Sequence, residues 1–421
     1  MKTLAATGLL AGGFIMQNTM KRIIHAFGAN RLLPLSLSLF VVGCKSATAP
    51  ASYPDTLRPS PDVLAPESAV RKTPEDKPEV VDLKLGVTEG NWVWYDGQRL
   101  KVEGRGWTNT AGPYHRLPAG ATVPGSGISH HTAGVAIYFI TDAPDVQVRW
   151  TVSDGGDLLG YNHMPTTGVS GVDLYERNEA GTWGFVGNGG VGGWTKQSNC
   201  KTFTVKAGRE NVLYLPLYNG VKSIEIGVPK DKTVLLPKRT HVTNIKPIVF
   251  YGTSITQGAC ADRPGMSATA IVGRELDVPV INLGFSGCGN MDPGMADLLA
   301  ELDPSAYVID CLWNMDPGLV AARTEPLVRK LREKHPNTPI LLVEDSNFND
   351  LPTEKGRILR EICEKLTKQG DVNLHFLSNK GMLGKDGEGT VEGTHLNSLG
   401  MMRQATVFVK TLRPLLSHSA R

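Results

Sequence analysis

The second half of the chain alternates short apolar runs with longer amphipathic stretches, a pattern typical of strands followed by helices. The apolar runs predict strands at 247–251, 279–283, 306–311, 339–344 and 373–377. The amphipathic stretches predict helices at 264–276, 293–301, 317–335, 353–369 and 397–416. Asp292 and Asp316 each precede a proline, which places an N-cap acceptor before a favourable first helical residue. Because strands and helices alternate, residues 246–421 are predicted to form a three-layer α/β/α domain with a parallel five-stranded sheet.

The preceding segment has a different pattern, with short alternating runs separated by Gly, Pro and Asn turns. These runs predict strands at 91–95, 133–139, 146–152, 171–177, 212–217 and 223–228. Strands at this spacing, without convincing helical stretches between them, favour an antiparallel arrangement. We therefore predict an all-β sandwich or jelly-roll domain over residues 82–245.

The N-terminal 81 residues are predicted to lie outside both domains. Lys21 and Arg22, the apolar run 32–42 and the small Gly43 have the order of a signal peptide over residues 1–43, with Met20 as the true start. The run 41–44 resembles a bacterial lipobox, which predicts lipidation of Cys44; a plain secretory signal or an incidental cysteine is the alternative. Residues 44–81 are rich in Pro, Ser, Ala and charges and are predicted to be a linker from that anchor.

Composition and cysteine usage narrow the classes of function. The 421 residues are 41% hydrophobic and 20% charged, with a net charge of +3. The chain therefore has the composition of a globular protein, and its charge gives no sign of a nucleic-acid partner.

An exported protein can form disulfide bonds. Cys260, Cys288 and Cys311 all follow predicted strands, so one pair among them is a candidate disulfide. No CxxC spacing links them, and no metal site is predicted. Cys363 lies on an amphipathic helix and is predicted to be a packed core thiol.

The candidate chemistry lies at the ends of predicted strands. Ser254 follows strand 247–251, at the edge where open α/β folds build their sites. His395 precedes the last helix, with Glu392 three positions earlier. A serine becomes a strong nucleophile when a base takes its proton and a third group orients that base. We predict these three roles for Ser254, His395 and Glu392, in that order.

Two later strand ends carry the donors that such a reaction needs. Gly287 ends the run Asn282-Leu283-Gly284-Phe285-Ser286-Gly287, and Asn314 ends the run Cys311-Leu312-Trp313-Asn314. A backbone N–H and a side-chain amide are groups that stabilise the oxyanion of a tetrahedral intermediate. The alternatives are a turn glycine at 287 and a helix cap at Asn314, although Asp316 is better placed for the cap.

Together these pieces resemble the SGNH (GDSL-like) hydrolase superfamily, whose four named residues would correspond to Ser254, Gly287, Asn314 and His395. The chain departs from the commonest pattern with Gly-Thr-Ser-Ile at 252–255 and with Glu392 where Asp is usual. The run Gly171-Val172-Asp173-Leu174-Tyr175 resembles the GxDLY signature of a β-domain that precedes certain bacterial members. The resemblance implies a flavodoxin-like catalytic domain and serine-esterase activity.

We therefore expect an exported, membrane-anchored serine esterase, facing the periplasm or the cell surface, that hydrolyses small acyl esters, O-acetyl above all, on carbohydrate. The resemblance implies no metal and no organic cofactor; the expected partners are an acylated glycan or small ester and, through Cys44, a membrane. Two alternatives remain: a lysophospholipase or thioesterase, and a glycan-binding surface lipoprotein made inactive by the change at Glu392.

Three further features lie near the predicted site. The polar run 344–349 is predicted either to line the substrate mouth or to be a hydrated loop, and the glycine-rich run 381–393 is predicted to be a flexible loop. His163 is predicted either to be a surface residue or to line the domain boundary.

Overall fold

The structure is a computed structural model that describes residues 79–190, 196–237 and 246–419. The predicted signal peptide, Cys44 and nearly all of the predicted linker lie outside these ranges, so they stay predictions. The described residues belong to one compact unit. Among them, no helix combines the length and the apolar composition that crossing a membrane requires.

The N-terminal part is built from antiparallel strands in two sheets. Its strands are β1 (Glu79–Val80), β2 (Gly86–Glu89), β3 (Trp92–Asp96), β4 (Lys101–Glu103), β5 (Ala136–Thr141), β6 (Asp145–Val152), β7 (Val172–Arg177), β8 (Trp183–Gly189), β9 (Ser198–Thr204), β10 (Glu210–Tyr214), β11 (Val221–Pro229) and β12 (Val234–Leu236). One sheet has the order β1-β12-β5-β10-β7-β8 with β4 also paired to β5, and the other has the order β2-β3-β11-β6-β9. A short helix, α1 (Thr166–Val169), precedes β7.

The alternation of side chains along the strands produces a core between the two sheets. In β6, Val146, Val148, Trp150 and Val152 are buried and the residues between them are less so. They pack in one cluster with side chains of the other sheet, such as Phe139. This antiparallel β-rich domain confirms the predicted fold class. The sequence pattern missed β1, β2, β4, β8, β9 and β12, which are short, rich in polar residues or glycine, and mostly close to sheet edges.

The C-terminal part has a parallel sheet of the order β14-β13-β15-β16-β17. Its strands are β13 (Ile248–Gly252), β14 (Val280–Gly284), β15 (Ala306–Asp310), β16 (Ile340–Val343) and β17 (Leu374–Leu377). Its helices are α2 (Ser254–Gln257), α3 (Ala268–Leu276), α4 (Pro293–Glu301), α5 (Pro317–Lys334), α6 (Glu354–Lys368) and α7 (Ser398–Ser419). Asp292 and Asp316 cap α4 and α5 through bonds to backbone N–H groups, as their positions before proline predicted.

Helices cover both faces of this sheet, which explains why its strands are mainly apolar. Val249 and Tyr251 of β13 face a core that includes residues of α4, α5 and α6. Ile248 and Phe250 face the opposite core, with residues of α3 and α7. The parallel five-stranded α/β/α domain predicted from the sequence is confirmed.

The cysteines do not form the bridge considered from the sequence. Cys200, Cys260, Cys288, Cys311 and Cys363, the cysteines of the described ranges, are all free. Cys260 packs in the core on the α3 and α7 face of the sheet, whereas Cys311 packs on the opposite face. The sheet itself therefore separates these two thiols. Cys363 is buried in the core, as predicted.

The β-rich domain is joined to the α/β domain through buried polar groups. The carboxylate of Asp173, in the GxDLY segment, accepts from the backbone N–H of Gly265, at 2.9 Å and 3.1 Å to its two oxygens. Burial raises the pKa of Asp173 to about 7, against that hydrogen bond and the nearby Arg274 and Arg263. The motif thus fixes the turn that leads into α3.

Candidate active site

Ser254 stands at the point where a buried strand ends and a helix begins. β13 ends at Gly252, and Ser254 is the first residue of α2, with Thr253 as its N-cap. The serine is 8% exposed, so its hydroxyl is close to the surface without being freely hydrated. The phenol of Tyr218, from the β-rich domain, donates to the backbone carbonyl of Ser254 at 3.1 Å. Contacts from both domains therefore fix the backbone of the candidate nucleophile.

His395 and Glu392 complete a chain of hydrogen bonds from this serine. The Ser254 Oγ lies 2.9 Å from His395 Nε2, and His395 Nδ1 lies 2.6 Å from Glu392 Oε1. An ionised carboxylate only accepts, so the network assigns the ring proton to Nδ1 and leaves Nε2 as the acceptor for the serine proton. Burial raises the pKa of Glu392, but hydrogen bonds from the His395 backbone and ring outweigh it and lower the pKa overall.

The extra methylene of glutamate is accommodated by a local fold of the side chain. Glu392 Oε1 accepts from the backbone N–H of His395 at 2.9 Å as well as from its ring. One oxygen therefore fixes both the loop and the imidazole. Asp386, another acid of this glycine-rich segment, is held instead by a two-point ion pair with Arg403, at 2.8 Å and 2.7 Å. Of the two, only Glu392 makes a hydrogen bond to His395 in the described residues.

Gly287 lies in the turn 285–289 that follows β14 and packs against the end of β13. The Phe285 N–H donates to the Gly252 carbonyl at 3.0 Å, and a Cβ at Gly289 would collide with that same carbonyl. Gly287 has a φ of +71°, which favours glycine, and a Cβ added there would meet no atom within 4 Å. Residue 287 is therefore both the turn glycine considered from the sequence and a position that borders open space.

Asn314 contacts the same turn. Its amide oxygen accepts from the backbone N–H groups of Gly289 and Cys288, each at 3.2 Å, in the orientation that satisfies both partners. That orientation leaves Nδ2, the donor end of the amide, for another acceptor. The helix cap is Asp316, whose carboxylate accepts from the Leu319 N–H at 2.8 Å. The alternative of a cap at Asn314 is therefore wrong.

The structure also tests the predictions made for the run 344–349 and for His163. Glu344, Asp345 and Ser346 are buried rather than hydrated. The two carboxylates accept hydrogen bonds from Thr353, so the start of the run 344–349 holds the loop around Thr353 in place.

The ring of His163, from the β-rich domain, lies close to the ring of His395, with 5.7 Å between the two ring centroids. His163 is thus exposed and also lies at the domain boundary, so both of its interpretations are confirmed.

Both domains of the chain are similar to known proteins. Residues 245–413 match the family model of GDSL-like lipase/acylhydrolases, and residues 92–234 match a model described as the N-terminus of esterases of SGNH-hydrolase type, named GxDLY. The crystal structure of a GDSL-like lipase from Bacteroides ovatus is 33% identical, covers 78% of this chain and 98% of its own, and superposes with a TM-score of 0.70. The chain belongs to the GDSL-like lipase/acylhydrolase family. It is accordingly an acyl ester hydrolase.

More distant structures share the fold of this GDSL-like hydrolase. A salicylyl-acyltransferase from a tetracycline biosynthetic pathway is 19% identical, with 81% of this chain and 93% of that chain covered and a TM-score of 0.55. A family two carbohydrate esterase from Cellvibrio japonicus is 14% identical, with 77% and 98% covered and a TM-score of 0.50. The comparison with curated proteins found no match.

Side chains of the β-rich domain help to hold the turn 285–289 of the GDSL-like hydrolase in place, and they were not predicted from the sequence. Arg116 is fully buried and donates to the carbonyls of Asn282 and Gly284 at the end of β14, at 3.3 Å and 2.6 Å. Its guanidinium also lies 4.4 Å from the ring centroid of Phe285. Burial lowers the pKa of Arg116 to about 9, which still leaves it charged at neutral pH. No periodic pattern marks such a residue.

Gln257 links α2 to the same turn. Its Oε1 accepts from the Ser286 N–H at 3.0 Å, and its Nε2 donates to the Leu217 carbonyl at 2.9 Å and to His131 Nδ1 at 3.1 Å. Burial lowers the pKa of His131 to about 3, with Arg116 and His130 adding to the effect, so the imidazole is neutral and accepts at Nδ1. The residue before Gly287 is thus fixed by a buried network across the two domains.

We expect Gln257→Ala to lower kcat for p-nitrophenyl acetate by about 5- to 10-fold with KM almost unchanged, since about 1 kcal/mol of positioning is lost from the turn that carries Gly287. Gln404→Ala, which removes an equally buried glutamine from α7, is the matched control for a general loss of packing. An equal fall in kcat in both variants, or a change in KM alone, would contradict the positioning role.

We expect Asn314→Ala to lower kcat by about 10²- to 10³-fold with little change in KM, because an oxyanion donor acts only near the transition state. The measurement is steady-state kinetics on the folded variant, with its thermal unfolding recorded alongside. If only KM changes, Asn314 contributes to substrate binding instead.

Proposed function

We propose that this family member is an exported serine esterase that removes small acyl groups, O-acetyl above all, from carbohydrate. The observation that carries the catalytic part is the hydrogen-bonded series Ser254 Oγ, His395 Nε2 and Glu392 Oε1. In it a nucleophile, a base and an orienting acid occur in the order that acyl transfer requires.

The proposed reaction follows from these contacts. Ser254 Oγ attacks the ester carbonyl while its proton passes to His395 Nε2, and the negative charge forms on the carbonyl oxygen. The Ser254 and Gly287 N–H groups and Asn314 Nδ2 are the donors proposed for that oxyanion. His395 then returns the proton to the leaving alcohol, which leaves an acyl group on Ser254. A water molecule then gives a proton to His395 and attacks the acyl carbonyl, the bond between the acyl carbon and Ser254 Oγ breaks, and His395 returns the proton to that oxygen as the carboxylic acid leaves. The proposed reaction therefore needs no metal or organic cofactor.

The proposed class of substrate follows from the surroundings of Ser254, His395 and Glu392. The side chain of Glu392 is 40% exposed and that of His395 is 24% exposed, and His163 is an exposed neighbour. An open, polar approach of this kind suits a hydrated polymer better than a long acyl chain, which binds in a deep apolar channel. The Cellvibrio japonicus structure of similar fold is named a carbohydrate esterase, which makes acetylated polysaccharides the substrates to examine first.

The test is release of acetate from a panel of acetylated polysaccharides, set beside p-nitrophenyl esters of increasing chain length. The proposal predicts acetate release and a steep loss of rate with chain length, both abolished in Ser254→Ala. Preference for long-chain esters would favour a lysophospholipase or thioesterase. Glycan binding without turnover of any ester would identify an inactive binding protein.

We also propose that the mature protein is held at a membrane through lipidated Cys44, with residues 44–81 as a tether. We expect Cys44→Ser to move the protein from the membrane fraction to the soluble fraction with unchanged specific activity, because the anchor and the site are separate parts of the chain. Fractionation followed by esterase assay measures both quantities. A Cys44→Ser protein that stays with the membranes would exclude the anchor.

A further inference from the structure

Three side chains that bind soft metal ions converge beside Ser254. Ligand atoms of His163, Cys260 and His395 all lie within 4.8 Å of one another. They come from three separate segments: a turn of the β-rich domain, the residues after α2, and the loop before α7. Two imidazoles and a thiol are a ligand set that Zn²⁺ prefers, with the fourth position open to water.

The segments that carry these ligands are well fixed. His163 lies on a two-residue turn closed by reciprocal backbone hydrogen bonds between Tyr161 and Met164, each 3.1 Å long. Cys260 has a φ of +66° and is almost completely buried, whereas the side chain of His163 is exposed. The cluster thus has two ligands fixed in the protein and one at the surface, where an ion would enter.

The second contact of His395 matches the requirement of a zinc ligand. A metal-bound histidine donates its other ring N–H to a carboxylate or carbonyl, which orients the ring. His395 Nδ1 lies 2.6 Å from Glu392 Oε1, so Nε2 is the atom that faces an incoming ion. Ligand atoms of a tetrahedral zinc site lie about 3.4–3.6 Å apart, so closing the cluster requires shifts of little more than about 1 Å. The exposed His163 side chain can supply such a shift by rotation.

A second group of potential ligands, His130, His131 and Asp154, is a poorer site. His131 Nδ1 accepts from Gln257 Nε2, so the neutral ring carries its proton on Nε2, the atom that faces Asp154 at 3.8 Å. A protonated nitrogen has no lone pair for a metal. This group therefore supplies a matched control rather than a rival site.

We propose that His163, Cys260 and His395 form an inhibitory Zn²⁺ site, in which the ion occupies His395 Nε2 and so prevents it from accepting the Ser254 proton. Binding exchanges the thiol proton of Cys260 for a zinc–sulfur bond, and the proton leaves to solvent. Inhibition rests on the proposed role of His395, whereas metal binding itself does not. The β-rich domain thereby contributes a ligand that controls the activity of the other domain.

The test uses protein freed of metal with a chelator, which is then dialysed away. At free Zn²⁺ ten times the dissociation constant, activity on p-nitrophenyl acetate should fall about 11-fold and return when chelator is added. His163→Ala should raise the Zn²⁺ concentration for half inhibition at least about tenfold, since one of three protein ligands is lost. His130→Ala should leave that concentration unchanged. Equal sensitivity of the wild type and His163→Ala would overturn the proposal.

Co²⁺ provides a readout that does not depend on activity. Bound to the wild-type protein it should give a thiolate-to-cobalt absorption band, which Cys260→Ser abolishes and which His163→Ala and His395→Ala weaken. If this band is present in a protein without esterase activity, the metal site stands and the proposed function fails. If the protein is active but the band is absent, or is untouched by the three substitutions, the metal site is wrong and the proposed function stands.

Discussion

Ser254→Ala and His395→Ala should each lower kcat by about 10⁴-fold or more, since each removes a member of one proton-transfer unit. The 2.9 Å contact between Ser254 Oγ and His395 Nε2 is the reason to treat them as a unit. Without the hydroxyl no acyl intermediate forms, and without the imidazole the hydroxyl keeps its proton. Steady-state kinetics with p-nitrophenyl acetate on folded, purified variants measures the loss.

The double variant, with both Ser254→Ala and His395→Ala, tests whether the two residues act together or contribute to catalysis independently. If the two residues act together, combining the substitutions should cost little more than either one alone. Losses that multiply would mean that one residue acts on a separate step. Thermal unfolding of each variant should stay close to that of the wild type, because Ser254→Ala removes one oxygen and His395 is partly exposed.

Glu392→Ala should lower kcat by about 10²- to 10⁴-fold, less than the loss at His395, because a poorly oriented imidazole still acts as a base. Glu392 Oε1 holds both the ring and the backbone N–H of His395, so the substitution removes orientation at two points. Glu392→Asp should also reduce activity, since the shorter side chain cannot keep both contacts from the same backbone position. Kinetic assays of the two variants measure these effects.

Glu388→Ala is the control for this assignment, because Glu388 shares the glycine-rich segment and the same charge. It should retain activity close to that of the wild type. Full activity in Glu392→Ala together with a loss in Glu388→Ala or Asp386→Ala would show that the acid is misassigned. If none of the three substitutions affects kcat, the site works as a serine–histidine dyad.

The sequence predicted the α/β domain well because its strands are largely buried and read as mainly apolar runs, although β14 contains Asn282 and the edge strand β17 is only partly buried. The candidate residues could be located for the same reason: Ser254, Gly287 and Asn314 each follow such a run, and the ends of parallel strands meet at one edge of a sheet. Glu392 was located by its spacing from His395. Its double contact with the histidine depends on how the loop folds, which spacing does not specify.

The contributions of the β-rich domain could not be predicted in this way. Arg116 and His131 reach the site across the boundary between the two domains, and they are single polar residues in irregular segments without a periodic signal. His163 was predicted, but only as a surface residue or as lining the domain boundary, without a contact to His395. Tyr218 lies just after the predicted strand 212–217, and nothing in that position indicates that its hydroxyl donates to the Ser254 carbonyl. Strands β8 and β9 were missed because glycine and polar residues obscure the alternation that identifies a strand.

The most direct test of the central claim is covalent labelling of the nucleophile with a fluorophosphonate, followed by mass spectrometry of the peptides. Attack by Ser254 Oγ forms a phosphorus–oxygen bond and expels fluoride, while the serine proton passes to His395. The account predicts a single adduct, on Ser254, in the native wild-type protein, with labelling strongly slowed in His395→Ala and lost on unfolding. An adduct on another residue, or a native protein that remains unlabelled while it hydrolyses esters, would contradict the account.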